Sequence, residues 1–297
     1  MVTLRRLDPT GPSISADLAA IDALLQAAYD APSFRFRVER GLALQPDGWV
    51  VAVDGPDAAI VGCGGFLAFV DGGFGWVGLV ATHPDAQRRG IARAVTQFLV
   101  DGLGGHGCAA ALDGSASGAP LYESMGFADG GLSTLLAVDD PLAAASALAA
   151  RMPRDRVVEV RAAGLAHLAA IVDFDRPYFG ASREQLLRRL LCEFTGRAAI
   201  AIDRTGIVHG FVIAQADAIG PLVAAGDSAR NLLLEWALRR SWANPPRIIV
   251  PPDSAHLDAV RNAGFVQQRA LRHQRLGIDP LPGDRHAIVA QVSFGEG

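Results

Sequence analysis

Between Trp76 and Phe98 the sequence reads WVGLVATHPDAQRRGIARAVTQF, and its chemistry lies where one element ends and the next begins. The apolar run Trp76–Ala81 predicts a buried strand, and Thr82-His83-Pro84-Asp85 breaks it. After Gln87-Arg88-Arg89-Gly90-Ile91-Ala92, apolar residues at Ile91, Ala94, Val95, Phe98, Leu99 and Leu103 have the spacing of one buried helical face. A strand that enters a helix through such a turn leaves the first helical N–H groups pointing into the loop. With the positive end of the helix dipole they make an anion site suited to a pyrophosphate. Gly90 lets the backbone come close to the ligand, Ala92 keeps a nearby position small, and Arg88 and Arg89 add positive charge.

This segment resembles motif A of the GNAT superfamily of acyl-CoA-dependent acyltransferases, Gln/Arg-x-x-Gly-x-Gly/Ala after a strand. A second stretch, Leu121-Tyr122-Glu123-Ser124-Met125-Gly126-Phe127, resembles the end of motif B, Leu-Tyr-x-x-x-Gly-Phe. The resemblance implies acetyl-CoA as cosubstrate, with no metal, and direct attack of an acceptor amine on the thioester. It implies Gln87, Arg88, Arg89, Gly90, Ile91 and Ala92 around the pyrophosphate. A backbone N–H of Leu79, Val80 or Ala81 would polarise the thioester carbonyl. Tyr122 would be the acid for the departing thiolate, since a phenol of pKa near ~10 can hand over a proton within hydrogen-bond reach; a half-buried packing tyrosine is the other reading. Two positions depart from the pattern. Ser115 stands where motif B often carries asparagine, and Trp76–Ala81 holds no carboxylate base. His83, Asp71, Asp113 or a water relay remain as base candidates.

Composition bounds the rest. The 297 residues are 50% hydrophobic and 20% charged, enough for two domains with cores of their own. A net charge of −4 gives no basic field for nucleic acid or an acidic membrane surface. All 27 basic residues are arginine, which excludes a lysine nucleophile and is read as genomic base composition. Cys63, Cys108 and Cys192 lie far apart among small or apolar residues, as reduced cytoplasmic thiols would. No signal-peptide core or membrane-length run is present, and oligomeric state is not encoded legibly.

Along the chain, Val2–Leu7 predicts a strand and Ile14–Tyr29 a helix. Asp30–Leu44 carries Phe34-Arg35-Phe36-Arg37, read either as a pocket for an anionic or aromatic acceptor or as a solvated helix edge. Trp49–Val53 and Ala59–Val70 predict strands around the turn Asp54-Gly55-Pro56-Asp57. Cys108–Asp113 is the next strand, Ser117–Met125 a short helix and Leu132–Val138 a closing strand. Pro141–Met152 reads as a linker helix ending at Pro153.

The second half repeats this outline. Leu222-Val223-Ala224 matches Leu79-Val80-Ala81, and Gly264-Phe265 matches Gly126-Phe127, but only Ala225–Ser228 separates its strand from its helix. It then continues through helix Ala229–Arg240, strand Arg247–Val250 and short helix Ala255–Asn262. The expected fold class is therefore α/β: two tandem GNAT-like domains, each a mixed, mostly antiparallel sheet flanked by helices, with a splayed central strand pair. The domains are a catalytic 1–140, a linker 141–155 and a degenerate 156–297, similar to tandem GNAT proteins of the YitH-like type. Asp173-Phe174-Asp175-Arg176-Pro177-Tyr178-Phe179-Gly180 reads as a loop between helices, a recognition loop or a local Asp175–Arg176 ion pair. The expected activity is N-acetylation of a small-molecule amine. The alternatives are a non-catalytic acyl-CoA-binding regulator and an acetyltransferase of protein N-termini or side chains.

Overall fold

The computed structural model describes residues 2–29, 33–55, 59–152 and 158–297. The first half runs β1 (Thr3–Arg6), α1 (Ile14–Tyr29), α2 (Arg35–Leu44), β2 (Trp49–Asp54), β3 (Ala59–Phe69), β4 (Phe74–Thr82), α3 (Ile91–Gly105), β5 (Ala109–Gly114), α4 (Ala119–Ser124) and β6 (Ala128–Ala137). Helix α5 (Pro141–Arg151) leads on to β7 (Val158–Ala163), α6 (Leu168–Phe179), α7 (Glu184–Glu193), β8 (Ala198–Asp203), β9 (Val208–Ala214) and β10 (Ala218–Ala224). The chain closes with α8 (Asp227–Leu238), β11 (Arg247–Val250), α9 (Leu257–Asn262), β12 (Val266–Leu276) and β13 (Ile288–Ala290). Residues 30–32 of the aromatic–arginine segment, Pro56 and Asp57 of the predicted turn, and Pro153 to 155 of the linker lie outside the described residues.

Helix α3 shows why the sequence folds as it does. Ile91, Val95, Leu99 and Leu103 are buried against Val50, Val77, Ala110 and Leu112 of the sheet, each such side chain contributing about 1.5–3 kcal/mol. Ala94, predicted on the same face, is exposed, and Phe98 is half-buried beneath the Arg6 guanidinium. The helix stops at Gly105, and Gly107 follows at φ 71, a left-handed turn that a side chain would oppose. Helices α1 and α2 cover the opposite sheet face through Leu18, Ile21, Leu25, Val38 and Leu42. In the second half α5 and α8 cover one face and α6 and α7 the other.

Among the described residues the strands form one sheet in the order β1-β2-β3-β4-β5-β12-β6-β11-β10-β9-β8-β7, with β13 on β10. Most pairs are antiparallel; β4–β5 and β10–β11 are the parallel ones. The last long strand of each half crosses over. β12 pairs with β5 of the first half, and β6 pairs with β11 of the second. The two crossed strands also pair with each other along the seam. Leu132–Val138, read as the strand closing the first half, is thus central and sits between two strands of the second.

The stretch Asp173–Phe179, predicted as a loop, is the second part of α6, and Gly180 ends that helix at φ 89. Pro177 removes only one helical N–H so close to the end. Asp175 pairs with Arg183, at 2.7 and 2.8 Å with both side chains buried, and not with Arg176. Arg176 instead reaches Asp71 across the halves, at 3.0 Å. No helix among the described residues is long and apolar enough to cross a membrane.

Candidate active site

Strands β4 and β5 run parallel only from Phe74–Ala109 to Val77–Leu112, then part. The opening leads into a cavity of about 820 Å³. On its β4 side the strand bulges. Cys63 pairs with Ala81 and Gly65 with Gly78, so Leu79 and Val80 together face Gly64. Leu79 holds φ 52, a left-handed conformation costing a non-glycine residue about 1–3 kcal/mol, and here it belongs to a cleft wall. The bulge takes two carbonyls out of the β3 ladder. Tyr29 Oη donates to the Val80 carbonyl at 2.8 Å, and the Cys63 thiol donates to that of Leu79 at 3.7 Å.

At the far end lies the turn into α3. Arg88 (φ 60) and Gly90 (φ 77) both take left-handed backbone, which wraps the loop around the helix start. A Cβ on Gly90 would meet nothing within 4 Å, so the space in front of it is open. The first intrahelical bond runs from Ala94 N–H to the Gly90 carbonyl, leaving the N–H groups of Ile91, Ala92 and Arg93 ahead of it. The lining includes Leu79, Val80, Ala81, Gln87, Arg88, Gly90, Ile91, Ala92 and Tyr122, so the structure brings these sequence candidates to one cavity. The Arg89 side chain turns away from it. Its guanidinium lies 2.6 Å from Asp54 at the end of β2, and that carboxylate holds it there.

Tyr122 in α4 packs against Phe127 and is mostly buried, which pushes its phenol up to about 12. It therefore stays protonated throughout the neutral range and can act as an acid there. Burial drives the Tyr29 phenol up as well, which keeps it a donor to Val80. The Cys63 thiol is pushed up to about 12 by burial and supplies no thiolate for a covalent route. Ser115 borders the cavity, and its hydroxyl accepts from Gly118 N–H at 3.2 Å in the turn that leads into α4.

Of the base candidates, His83 and Asp71 lie outside the cavity lining and Asp113 borders it. His83 Nδ1 accepts from Asp85 N–H outside the cavity. Asp71 holds Ser182 N–H and Arg176. The Asp113 side chain is fully buried at the seam. It accepts from Ser133 at 2.7 Å, His273 at 3.1 Å and Gln291 at 2.9 Å, so β5, β6, β12 and the segment after β13 meet on one carboxylate.

Sequence reasoning missed the contribution of the second half. Asp217, Arg247, Arg269, Leu271 and Ser293–Glu296 all border the cavity. Segment 293–297 lies along β4: Trp76 Nε1 donates to the Phe294 carbonyl at 3.1 Å, and Gly78 is so close to Gly295 that a Cβ would fall 2.5 Å from its Cα. Glu296 is held by Arg40 of α2 at 2.7 and 3.0 Å, and Arg40, fully buried, also holds Glu193 of α7. The close glycine pair 78/295 is the signal that could have hinted at this contact. Among the described residues no cluster of three or more His, Cys, Asp or Glu side chains could hold a metal ion.

The comparisons agree with this geometry. Residues 45–129 match one acetyltransferase (GNAT) domain model and residues 171–290 another. No curated protein sequence matches the chain. A candidate acetyltransferase from Pyrococcus horikoshii is similar over 100% of this chain and 96% of its own, with TM-score 0.79 and 21% identity. A GCN5-related N-acetyltransferase from Sphaerobacter thermophilus is similar over 95% and 96%, with TM-score 0.65 and 15% identity. A tandem GNAT protein from the clavulanic acid biosynthesis pathway is similar over 93% and 98%, with TM-score 0.59 and 17% identity. With both halves matched and both parallel strand pairs in place, the chain is a tandem GNAT protein.

Proposed function

We propose that the first half transfers an acetyl group from acetyl-CoA to the amine of a small molecule. The observation that carries this is the single open cleft that joins a helix start able to hold a pyrophosphate, a bulged strand and a protonated tyrosine. The N–H groups at Gln87–Ala92, with Arg88 beside them, hold the pyrophosphate. A backbone N–H of the Leu79–Ala81 bulge polarises the thioester carbonyl as its oxygen gains charge. The acceptor nitrogen attacks the carbonyl carbon, the carbon–sulfur bond breaks and the thiolate takes the Tyr122 proton, while the proton shed by the acylated nitrogen passes to water and the phenol is reprotonated from solvent. The residues 1–140 carry the donor site, and 156–297 form a diverged partner of the YitH-like tandem type. A small acceptor fits because residues of the second half wall one side of the cleft. The free thiols Cys63, Cys108 and Cys192 suit a reducing, cytoplasmic setting.

Calorimetric titration of acetyl-CoA, followed by thiol release with a panel of amines, tests the reading. One site per chain with turnover of a small amine is expected. Binding without turnover would return the protein to the class of acyl-CoA sensors, and no binding would sink the acyltransferase reading.

A further inference from the structure

The part of the cavity away from the phosphate loop carries charge that acetyl-CoA does not need. Arg37 of α2, Arg247 at the start of β11 and Arg269 of β12 all border it. We propose that these arginines receive an anionic group, a carboxylate or a phosphate, on the acceptor, so that the amine acetylated is a small acidic molecule. The inference rests on the acetyl-transfer reading of the same cleft.

The carboxylates around this end are already committed. Asp217 is paired with Arg247, Glu296 with Arg40 and the Ser293 hydroxyl, and Asp113 with Ser133, His273 and Gln291. Arg37 and Arg269 have no carboxylate partner among the described residues. Arg37 stands out further. Its Nε is buried without a hydrogen-bond partner, while its guanidinium sits against the Phe34 and Phe36 rings, at 5.8 and 5.5 Å. A guanidinium stays charged, and leaving one of its donors dry and unpaired is costly unless something else fills the place. Arg269 lies over the Phe294 ring at 5.5 Å and borders the cavity.

Burial disfavours charge on Arg37, against the pull of the Glu296 and Asp217 carboxylates, and Arg40 and Arg247 add repulsion; on Arg269 burial and the nearby Arg247 both disfavour it. An anion arriving there relieves the repulsion and takes forked hydrogen bonds from planar guanidinium groups. The aromatic rings beside Arg37 leave room for an apolar or aromatic body on the same molecule.

The test uses the full chain with saturating acetyl-CoA and matched acceptor pairs: phenylalanine and phenylalaninamide, aspartate and asparagine, phosphoethanolamine and ethanolamine. The acidic member of a pair should win by tenfold or more in kcat/KM, and whether the carboxylates or the phosphate win identifies the anion. Arg269→Gln and Arg37→Gln should each raise KM for the preferred acidic acceptor tenfold or more. Both should leave the acetyl-CoA Kd unchanged, which also shows that the variants fold. Equal use of the neutral members, or a preference that survives both substitutions, overturns the proposal. If no pair turns over, the same probes are titrated calorimetrically into the acetyl-CoA complex, and absence of binding by every acidic probe overturns it too. Acidic probes that bind a protein unable to bind acetyl-CoA would sink the acetyl-transfer reading and keep the arginine site.

Discussion

The molecule contains the same parallel strand pair twice, and the two copies end differently. In the first, β4 and β5 part after Val77 and Leu112 and the gap is the 820 Å³ cavity. In the second, β10 and β11 pair only at Ala218–Ile219 and Arg247–Ile248, and the gap is filled by the protein itself. Strand β13 pairs Ala290 with Leu222 and Ile288 with Val223, and Gln291 N–H donates across to the Ile249 carbonyl at 3.0 Å. The helix starts differ too. Before α3 a long loop winds through left-handed Arg88 and Gly90, whereas α8 follows Ala224 after only Ala225 and Gly226 and opens on Asp227. A carboxylate at that end satisfies the helix dipole that a phosphate would otherwise use. A splayed sheet must place something against its parted backbone groups, because buried N–H and C=O groups need partners. One half leaves that place open and the other fills it with chain. The filling segment then continues into the first cleft as Ser293–Glu296, so closing one site helps to shape the other.

The largest test of this contrast separates the halves. Residues 1–152 expressed alone lack β12, which leaves β5 and β6 without the strand between them, and lack the partners of Arg40 and the His273 and Gln291 partners of Asp113. We expect no cooperative melt and no acetyl-CoA binding; a folded, binding fragment would show that the first cleft stands without its neighbour. Next comes Gly90→Glu, which puts a carboxylate and a strained left-handed residue at the proposed pyrophosphate site. Acetyl-CoA affinity should fall at least 100-fold, about 2.7 kcal/mol by titration calorimetry. Full retention would move the donor elsewhere.

Tyr122→Phe should lower kcat about 10²-fold while the acetyl-CoA Kd changes little. Because burial raises the phenol to about 12, its loss of the proton cannot shape the wild-type profile at moderate pH. The sign follows from the protonated form being the active one: Tyr122 is competent below its raised pKa and fails only as pH climbs through it. An alkaline limb between pH 8 and 10 that vanishes in Tyr122→Phe would contradict this. The smallest effect on acetyl-CoA binding is expected where the contrast is sharpest. Ile288→Gly with Ala290→Gly thins the plug and should cost about 2–5 kcal/mol in a denaturant melt. Acetyl-CoA should still bind once per chain, since the α8 start has neither the loop nor the charge for a second. Two sites in that variant would mean the plug alone silences the second copy.

Much of this was legible beforehand, and the reason differs by region. The strand–loop–helix from Trp76 to Leu103 announces itself because its core face and its glycine turn are local properties of the chain. The same holds for Arg247–Val250, read to the residue, and for the short loop before α8. The crossing of β6 and β12 was not legible, since backbone hydrogen bonding is common to all sequences and an apolar strand does not name its neighbour. Residues 173–179 misled because proline and paired charges mimic a loop, and only the Arg183 side chain, arriving from beyond the helix, makes Asp175 a buried helical residue. Arg89 misled for a related reason: its backbone place is local, but where its side chain goes was decided by Asp54.

By itself, then, the sequence determined the elements and the glycine loop before α3, because turn chemistry, helical spacing and capping act over a few residues. Tertiary structure alone decided which cleft stays open, what walls it and which charges border it. Those outcomes depend on pairings such as Arg40–Glu296 and His273–Asp113, between residues far apart in the chain that only the shared sheet brings into contact.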